Sequence, residues 1–289
     1  MPQDNTQEYH RRICRAIDFI NQNLASNPSV AEIAKAAPFS KFHFQRLFKA
    51  LTGESVAEFT RRIRLETAAR RLRFRPHDDI TTLAFDLGFS SSQNFAKVFK
   101  KHFGVSASEY REHHFGAISS DSTELVLFDS NLQLNVRIEQ IEPFRVVYRR
   151  VFGSYDDPEV NMAFQEVVRW AKPRGLDVFE RYLGIPWDDA DVTAEDKCRF
   201  DACLHVNQDA RLDGGINWQT IPAGKYAVYE SEITEHDFDR PWTELMRAWL
   251  PSSGFQPDDR PRFERYHTDG SDDPRGQWKL AIWLPVVPI

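Results

Sequence analysis

The spacing of apolar and polar residues changes character near the middle of the chain. Up to about residue 116, apolar positions recur at steps of three and four, the period of amphipathic helices. Phe44, Leu47, Phe48 and Leu51 form one such stripe, and Phe95, Val98 and Phe99 form another. Helix starts are marked by Ser29-x-x-Glu32, Ser55-x-x-Glu58 and Ser106-x-x-Glu109, with Ser90-x-x-Gln93 as a fourth candidate. In this pattern the hydroxyl accepts from an orphan backbone N–H and the later side chain reaches back. Gly53, Gly88 and Gly104 stand where left-handed residues end helices, and Pro76 closes the helix that begins after Ser55. No two-residue alternation appears before about residue 124.

Beyond residue 134 the period shortens. "LNVRIEQI" (134–141), "FRVVYRRVF" (144–152), "DACLHV" (201–206), "KYAVYE" (225–230) and "LAIWLPVV" (280–287) predict strands. Two amphipathic helices are predicted between them. One covers 158–174, with Phe164, Val167, Val168 and Trp170; the other covers about 236–250, with Phe238, Leu245, Met246 and Trp249. Residues 117–133 read as a linker.

Each half carries an internal repeat. In the first, Ile33 and Ala34 match Leu83 and Ala84, and Phe39 and Ser40 match Phe89 and Ser90. After one extra residue, Phe44, Phe48, Lys49 and Gly53 match Phe95, Phe99, Lys100 and Gly104. Each copy reads as a short helix, a tight turn and a second helix, the helix-turn-helix pattern. In the second half, "VVY" (146–148) matches "AVY" (227–229), and Trp170 with Gly175 matches Trp249 with Gly254. "FERY" occurs twice in register with that repeat, at 179–182 and 263–266. Two βαββ units related by a pseudo-two-fold axis are expected.

Charge divides at the same place. Residues 1–116 hold 18 Lys+Arg against 12 Asp+Glu, whereas 117–289 hold 19 against 31. A basic half beside an acidic half suggests a nucleic-acid-binding unit joined to a unit that stays off nucleic acid. The polar start of the chain lacks a signal-peptide core, no apolar run is long enough to span a membrane, and three scattered cysteines offer no disulfide framework. A reduced, cytoplasmic protein without membrane contact is expected.

The outward faces of the second helices supply the candidate chemistry. In the first copy these are Lys41, Phe42, Gln45, Arg46 and Lys49; in the second they are Ser91, Ser92, Gln93, Lys97 and Lys100. Gln and Arg can bond base edges in pairs, and lysines hold phosphates. Phe42 lies off the apolar stripe, placed either for a thymine methyl or for packing against a neighbouring helix. "SKFHFQRLFK", "TGESVAEFTRRIRLETAARRL", "LAFDLGFSS" and "NFAKVFKKHFGVSASEYR" follow the order and spacing of the AraC/XylS family of bacterial transcription regulators, which residues 7–114 resemble. The resemblance implies an all-α domain (1–116) in which a linker helix joins two helix-turn-helix units. It implies recognition helices at about 41–51 and 91–102, entering successive major grooves of double-stranded DNA.

"RVVYRRVFGSY", "CRFDACLHV", "IPAGKYAVYE", "WLPSSG" and "PRFERY" resemble the GyrI-like effector-binding domain, also found in Rob-type regulators and multidrug-responsive activators. The resemblance covers 134–289 and implies an α+β fold with a cleft for a small, often aromatic or cationic molecule. Glu264 stands at the position of the family's recurring ligand-contacting acid. On a strand it shares a face with Tyr266, and Phe164, Trp187 and Trp283 are candidate walls. A structural ion pair with Arg262 or Arg265 is the competing role for Glu264. Glu180, in the first copy of the tetrapeptide, reads as a trace of duplication.

The chain is therefore expected to be a transcription regulator that binds DNA and a small-molecule effector, with RNA polymerase as a further partner and no cofactor or metal. Hydrolysis of a small molecule in the cleft, or protein interaction through the acidic half, are the alternatives. No GxSxG, P-loop or GxGxxG-helix motif supports an enzyme, and Cys198 and Cys203 have opposite parity on a strand.

Overall fold

The computed structural model describes residues 5–37, 39, 41–117, 133–176, 181–207, 211–234, 237–270 and 273–289. The chain forms two compact units. One is Met1–Asp121 with Asp189–Lys197 and Leu212–Asn217; the other is Ser122–Asp188, Cys198–Arg211 and Trp218–Ile289.

The first unit is helical. Its helices are α1 (Asn5–Gln22), α2 (Val30–Ala36), α3 (Lys41–Thr52), α4 (Val56–Phe74), α5 (Ile80–Asp86), α6 (Ser92–Phe103) and α7 (Ala107–Ala117). The capping boxes at Ser29 and Ser55 are formed in both directions. So is that at Ser106, where Ser106 N donates to Glu109 at 2.7 Å and Glu109 N donates to Ser106 Oγ at 3.2 Å. The fourth start differs from expectation by one residue. Ser91, not Ser90, caps α6, accepting from Asn94 N at 3.1 Å, because the second copy carries one more residue in its turn.

The repeat runs further than the sequence reading took it. In the first copy Phe39, Phe44, Phe48 and Phe59 form a ladder of rings with centroids 6.5, 5.6 and 5.3 Å apart. In the second, Phe89, Phe95, Phe99 and Tyr110 stand at 5.2, 5.4 and 5.5 Å. Phe59 follows the Ser55 box and Tyr110 follows the Ser106 box, so the duplicated element is three helices, α2–α4 and α5–α7.

The second unit is built on antiparallel strands: β1 (Val136–Ile141), β2 (Phe144–Phe152), β3 (Tyr182–Pro186), β4 (Arg199–Val206), β5 (Asn217–Ile221), β6 (Gly224–Ile233), β7 (Phe255–Pro257), β8 (Phe263–Thr268) and β9 (Trp278–Pro288). Their order is β1-β6-β9-β8-β3-β4-β2-β5, with β7 on β9. Helix α8 (Pro158–Ala171) follows β2. Helix α9 (Asp239–Glu244) follows β6 and runs into a π turn, Leu245–Trp249.

Two short links force this sheet to curl. β1 and β2 stand six strands apart in the order, yet only Glu142 and Pro143 join them. In a flat sheet six spacings of about 4.8 Å would separate them by about 29 Å, whereas three Cα steps span at most about 11 Å. Pro222 and Ala223 impose the same closure on β5 and β6. One sheet face carries α8 and α9; the other becomes the interior of the curl. There Phe144 of β2 meets Phe263 of β8, two strands beyond its neighbour β4, with ring centroids 6.0 Å apart.

Candidate functional site

Glu264 lies near the centre of the sheet. On β8 it stands opposite Gly184 of β3 and Ile282 of β9, on the face that carries the helices. Only 5% of it is exposed. Its Oε1 accepts from the indole Nε1–H of Trp242 on α9 at 2.7 Å, and its Oε2 accepts from the Tyr266 hydroxyl at 2.7 Å. Among the described residues no cation reaches it within ion-pair distance: Arg262 donates instead to the Asp188 carbonyl at 2.7 Å, and its guanidinium lies 5.4 Å from the Trp242 ring. Burial pushes the Glu264 carboxyl above the ordinary carboxylate value, against the two hydrogen bonds and the more distant Arg262 charge. Burial likewise raises the Tyr266 phenol, helped by the neighbouring carboxylate.

Aromatic rings enclose this acid. Around Tyr266 stand Phe164 at 5.7 Å, Trp278 at 6.0 Å and Phe238 at 6.5 Å, all edge to face. Gly184 makes the arrangement possible, since a Cβ there would collide with the Tyr266 hydroxyl and the Phe200 ring. The result is a carboxylate held by two neutral donors within an aromatic wall, on a sheet face between two helices.

The structure thus brings together three of the five residues named for this site from sequence: Glu264, Tyr266 and Phe164. Trp283 pairs with Phe263 across β8 and β9 and stacks on it at 5.3 Å, so it lies on the interior face, away from Glu264. Trp187 donates its Nε1–H to Asp201 at 2.7 Å, beside Arg150, and serves another acid. Arg265 is on the interior face with Trp283, 5.3 Å from its ring, and does not pair with Glu264. Phe179 and Glu180 of the first "FERY" lie outside the described residues, while its last residue, Tyr182, opens β3. Trp242, Trp278 and Gly184 were not foreseen as site residues. Trp242 follows Phe238 by four positions on the predicted helix, so a complete helical wheel placed it on the apolar stripe.

In the helical unit, Gln45, Arg46 and Lys49 project from α3 as exposed side chains, while Phe44 and Phe48 are fully buried. On α6, Gln93, Lys97 and Lys100 are exposed, Ser91 and Ser92 are half-buried, and Phe95 and Phe99 are buried. Ser91 spends its hydroxyl oxygen on the helix cap. The side chains of Lys41 and Phe42 lie outside the described residues.

Comparison with known proteins completes this picture. Residues 134–287 match the GyrI-like small molecule binding domain. The chain belongs to the GyrI-like family. Residues 33–113 of this GyrI-like protein match a helix-turn-helix domain. A "DNA gyrase inhibitor" of Edwardsiella piscicida is 31% identical over 157 residues, covering 53% of this chain and 98% of the relative. That of Serratia proteamaculans (strain 568) is 32% identical over 157 residues, with the same coverage. Among solved structures, the EcmrR–DNA complex determined by cryo-EM in EcmrR-RPo is 15% identical, with a TM-score of 0.48 over 86% of this chain and 83% of that one. The GyrI-like protein is accordingly a DNA-binding transcription regulator with a small-molecule-binding domain. No helix among the described residues is long and apolar enough to cross a membrane.

Proposed function

We propose that the GyrI-like domain of this regulator takes a cationic, aromatic small molecule against Glu264, and that this binding governs its action on DNA. The observation that carries the reading is the buried Glu264 carboxylate, which has two neutral donors and no ion-pair partner among the described residues. An ionised acid in such a place is costly unless a positive charge meets it. A cation there gains the carboxylate and the faces of neighbouring rings, at about 0.5–2 kcal/mol for each cation–π contact. Tyr266, Phe164, Trp242 and Phe238 form the wall; Trp187 and Trp283 fall outside this version of the site.

The sheet order supports reading the domain as two βαββ units, β2-α8-β3-β4 and β6-α9-β8-β9, meeting at β3 and β8. In that reading β1 and β5 are exchanged between the units, and Glu264 sits next to the pseudo-two-fold axis. The proposed domains are 1–116 and 134–289, joined by a linker at 117–133. On DNA, α3 contributes Lys41, Phe42, Gln45, Arg46 and Lys49, and α6 contributes Ser91, Ser92, Gln93, Lys97 and Lys100. The two helices enter successive major grooves, so a single chain reads an asymmetric site. RNA polymerase is the further partner of such a regulator, which places its work in the cytoplasm, off the membrane.

Benzyltrimethylammonium and its uncharged isostere neopentylbenzene separate charge from shape. Calorimetry with the full chain is expected to show binding of the cation alone; equal binding of both would overturn the role given to Glu264. For DNA, gel-shift titration at several salt concentrations should show steep salt dependence, with Arg46→Ala costing about 1–3 kcal/mol at one base position. Equal affinity for all sequences would overturn specific reading.

A further inference from the structure

The two helix-turn-helix copies could be set at many angles, since α4 alone does not dictate how each copy sits on its end. One buried contact stands out at their meeting point. Arg64, in the middle of α4, is 8% exposed although it carries a charge. Its Nη2 donates to the Leu24 carbonyl at 2.7 Å, in the turn that follows α1. Its guanidinium also lies 6.0 Å from the ring of Phe89, in the turn between α5 and α6.

Gly88, the residue before Phe89, has φ +78°, a conformation that favours glycine. A Cβ there would collide with the Leu24 carbonyl oxygen and would stand 2.9 Å from Arg64 Nη2 and 3.0 Å from the Ala25 carbonyl oxygen. Three parts of the unit therefore converge within one contact distance: the turn after α1, which packs with α2 and α3 of the first copy; the middle of the linker helix; and the turn of the second copy. A buried cation that satisfies a helix-end carbonyl is costly to displace. A glycine without a side chain lets the two turns touch backbone to backbone.

We infer that Arg64 is a positioning residue that, with Gly88, locks the second helix-turn-helix unit against the first and so fixes the spacing between the two DNA subsites this protein accepts. The inference rests on the reading that α3 and α6 both enter the major groove. Each base pair added between the subsites advances the second by about 3.4 Å and turns it by about 35° around the helix. A rigid joint cannot follow such a change, whereas a loosened one can. Arg64 touches no DNA in this reading and acts only through the angle it holds.

The test uses full-length protein and a site selected from random-sequence DNA, then altered by inserting or deleting one base pair between its two halves. The natural chain is expected to lose roughly tenfold or more in affinity at either altered spacing, the size of a mismatched contact. Arg64→Leu should bind the altered spacings within a few-fold of the selected one, while binding an isolated half-site as the natural chain does. Arg64→Lys, which keeps a donor, should restore part of the discrimination. Gly88→Ala wedges the same joint with Arg64 itself unchanged in sequence, and should flatten the spacing profile even if Arg64→Leu fails to fold. If the natural chain itself shows no spacing dependence, two-helix reading fails and this inference with it. If the natural chain discriminates but Arg64→Leu and Gly88→Ala keep the full profile, or lose affinity equally for every spacing and for the half-site, the joint does not set spacing and only this inference is overturned.

Discussion

Two buried acids in the second unit receive the same first partner and meet opposite fates. Asp201, fully buried, accepts from the indole of Trp187 at 2.7 Å; Glu264, 5% exposed, accepts from the indole of Trp242 at 2.7 Å. Asp201 is then held by Arg150 through two bonds of 2.6 and 2.7 Å, and by the Gln219 amide at 2.8 Å. Among the described residues, Glu264 receives beside its indole only the Tyr266 hydroxyl. The first charge is neutralised inside the fold; the second meets no cation within ion-pair distance among the described residues. Burial of a carboxylate does not by itself mark a binding site. What marks one is a carboxylate whose hydrogen bonds are supplied and whose countercharge is not.

The largest consequence is for stability. Asp201→Asn removes the charge to which buried Arg150 is bonded, and should destabilise the fold by roughly 3–5 kcal/mol. Glu264→Gln removes a charge that has no ion-pair partner among the described residues, so it should leave stability unchanged or raise it. Urea unfolding of both variants measures the contrast. Similar losses from both would mean that Glu264 is as much a structural charge as Asp201.

A smaller effect follows from pH. The folded-state value of Glu264 is raised by burial, so the folded protein keeps a proton that the unfolded chain gives up near the ordinary carboxylate value. Its contribution to stability is full below that ordinary value and is lost as pH rises through the raised one. Cation binding has the opposite sign. It needs the ionised acid, so affinity should fall as pH drops through the raised value, by at most about tenfold per pH unit. Glu264→Gln should flatten both profiles. A cation affinity that ignores pH in the natural chain would break the link between Glu264 and the ligand.

The same contrast explains what could be read in advance. The helical unit was legible almost throughout, because capping boxes and the 3.6-residue period are local signals and each copy repeats them. Strands with apolar alternation were legible too. β3 was not, since Gly184 and Pro186 are poor strand residues chosen for their surroundings. β5 inverts the usual pattern: Gln219 is buried while Trp218 is 51% exposed, because Gln219 serves the buried Asp201. In the site, Glu264 and Tyr266 follow from strand parity, which is local. Trp283 was misplaced because its face depends on the register of β9 against β8, and an irregularity between Tyr266 and Thr268 separates register from simple counting.

The smallest expected effect is also the one that isolates the comparison most cleanly. Trp187→Phe and Trp242→Phe each remove one indole donor and leave a ring in place. Asp201 keeps Arg150 and Gln219, so Trp187→Phe should cost about 0.5–1.5 kcal/mol of stability, the net value of one hydrogen bond, and nothing in ligand binding. Among the described residues, Glu264 keeps only Tyr266. Its ionised form loses half of its hydrogen bonds, and the raised value moves further up. A hydrogen bond to a charged group is worth about 1.5–3 kcal/mol, so the pH midpoint of cation binding should rise by roughly 1–2 units, while stability in urea at low pH, where Glu264 is protonated, should fall only by about 0.5–1.5 kcal/mol, the value of one neutral hydrogen bond. If Trp242→Phe leaves that midpoint where it is, the indole fills space beside the acid without supporting its charge, and the likeness between the two acids ends at geometry.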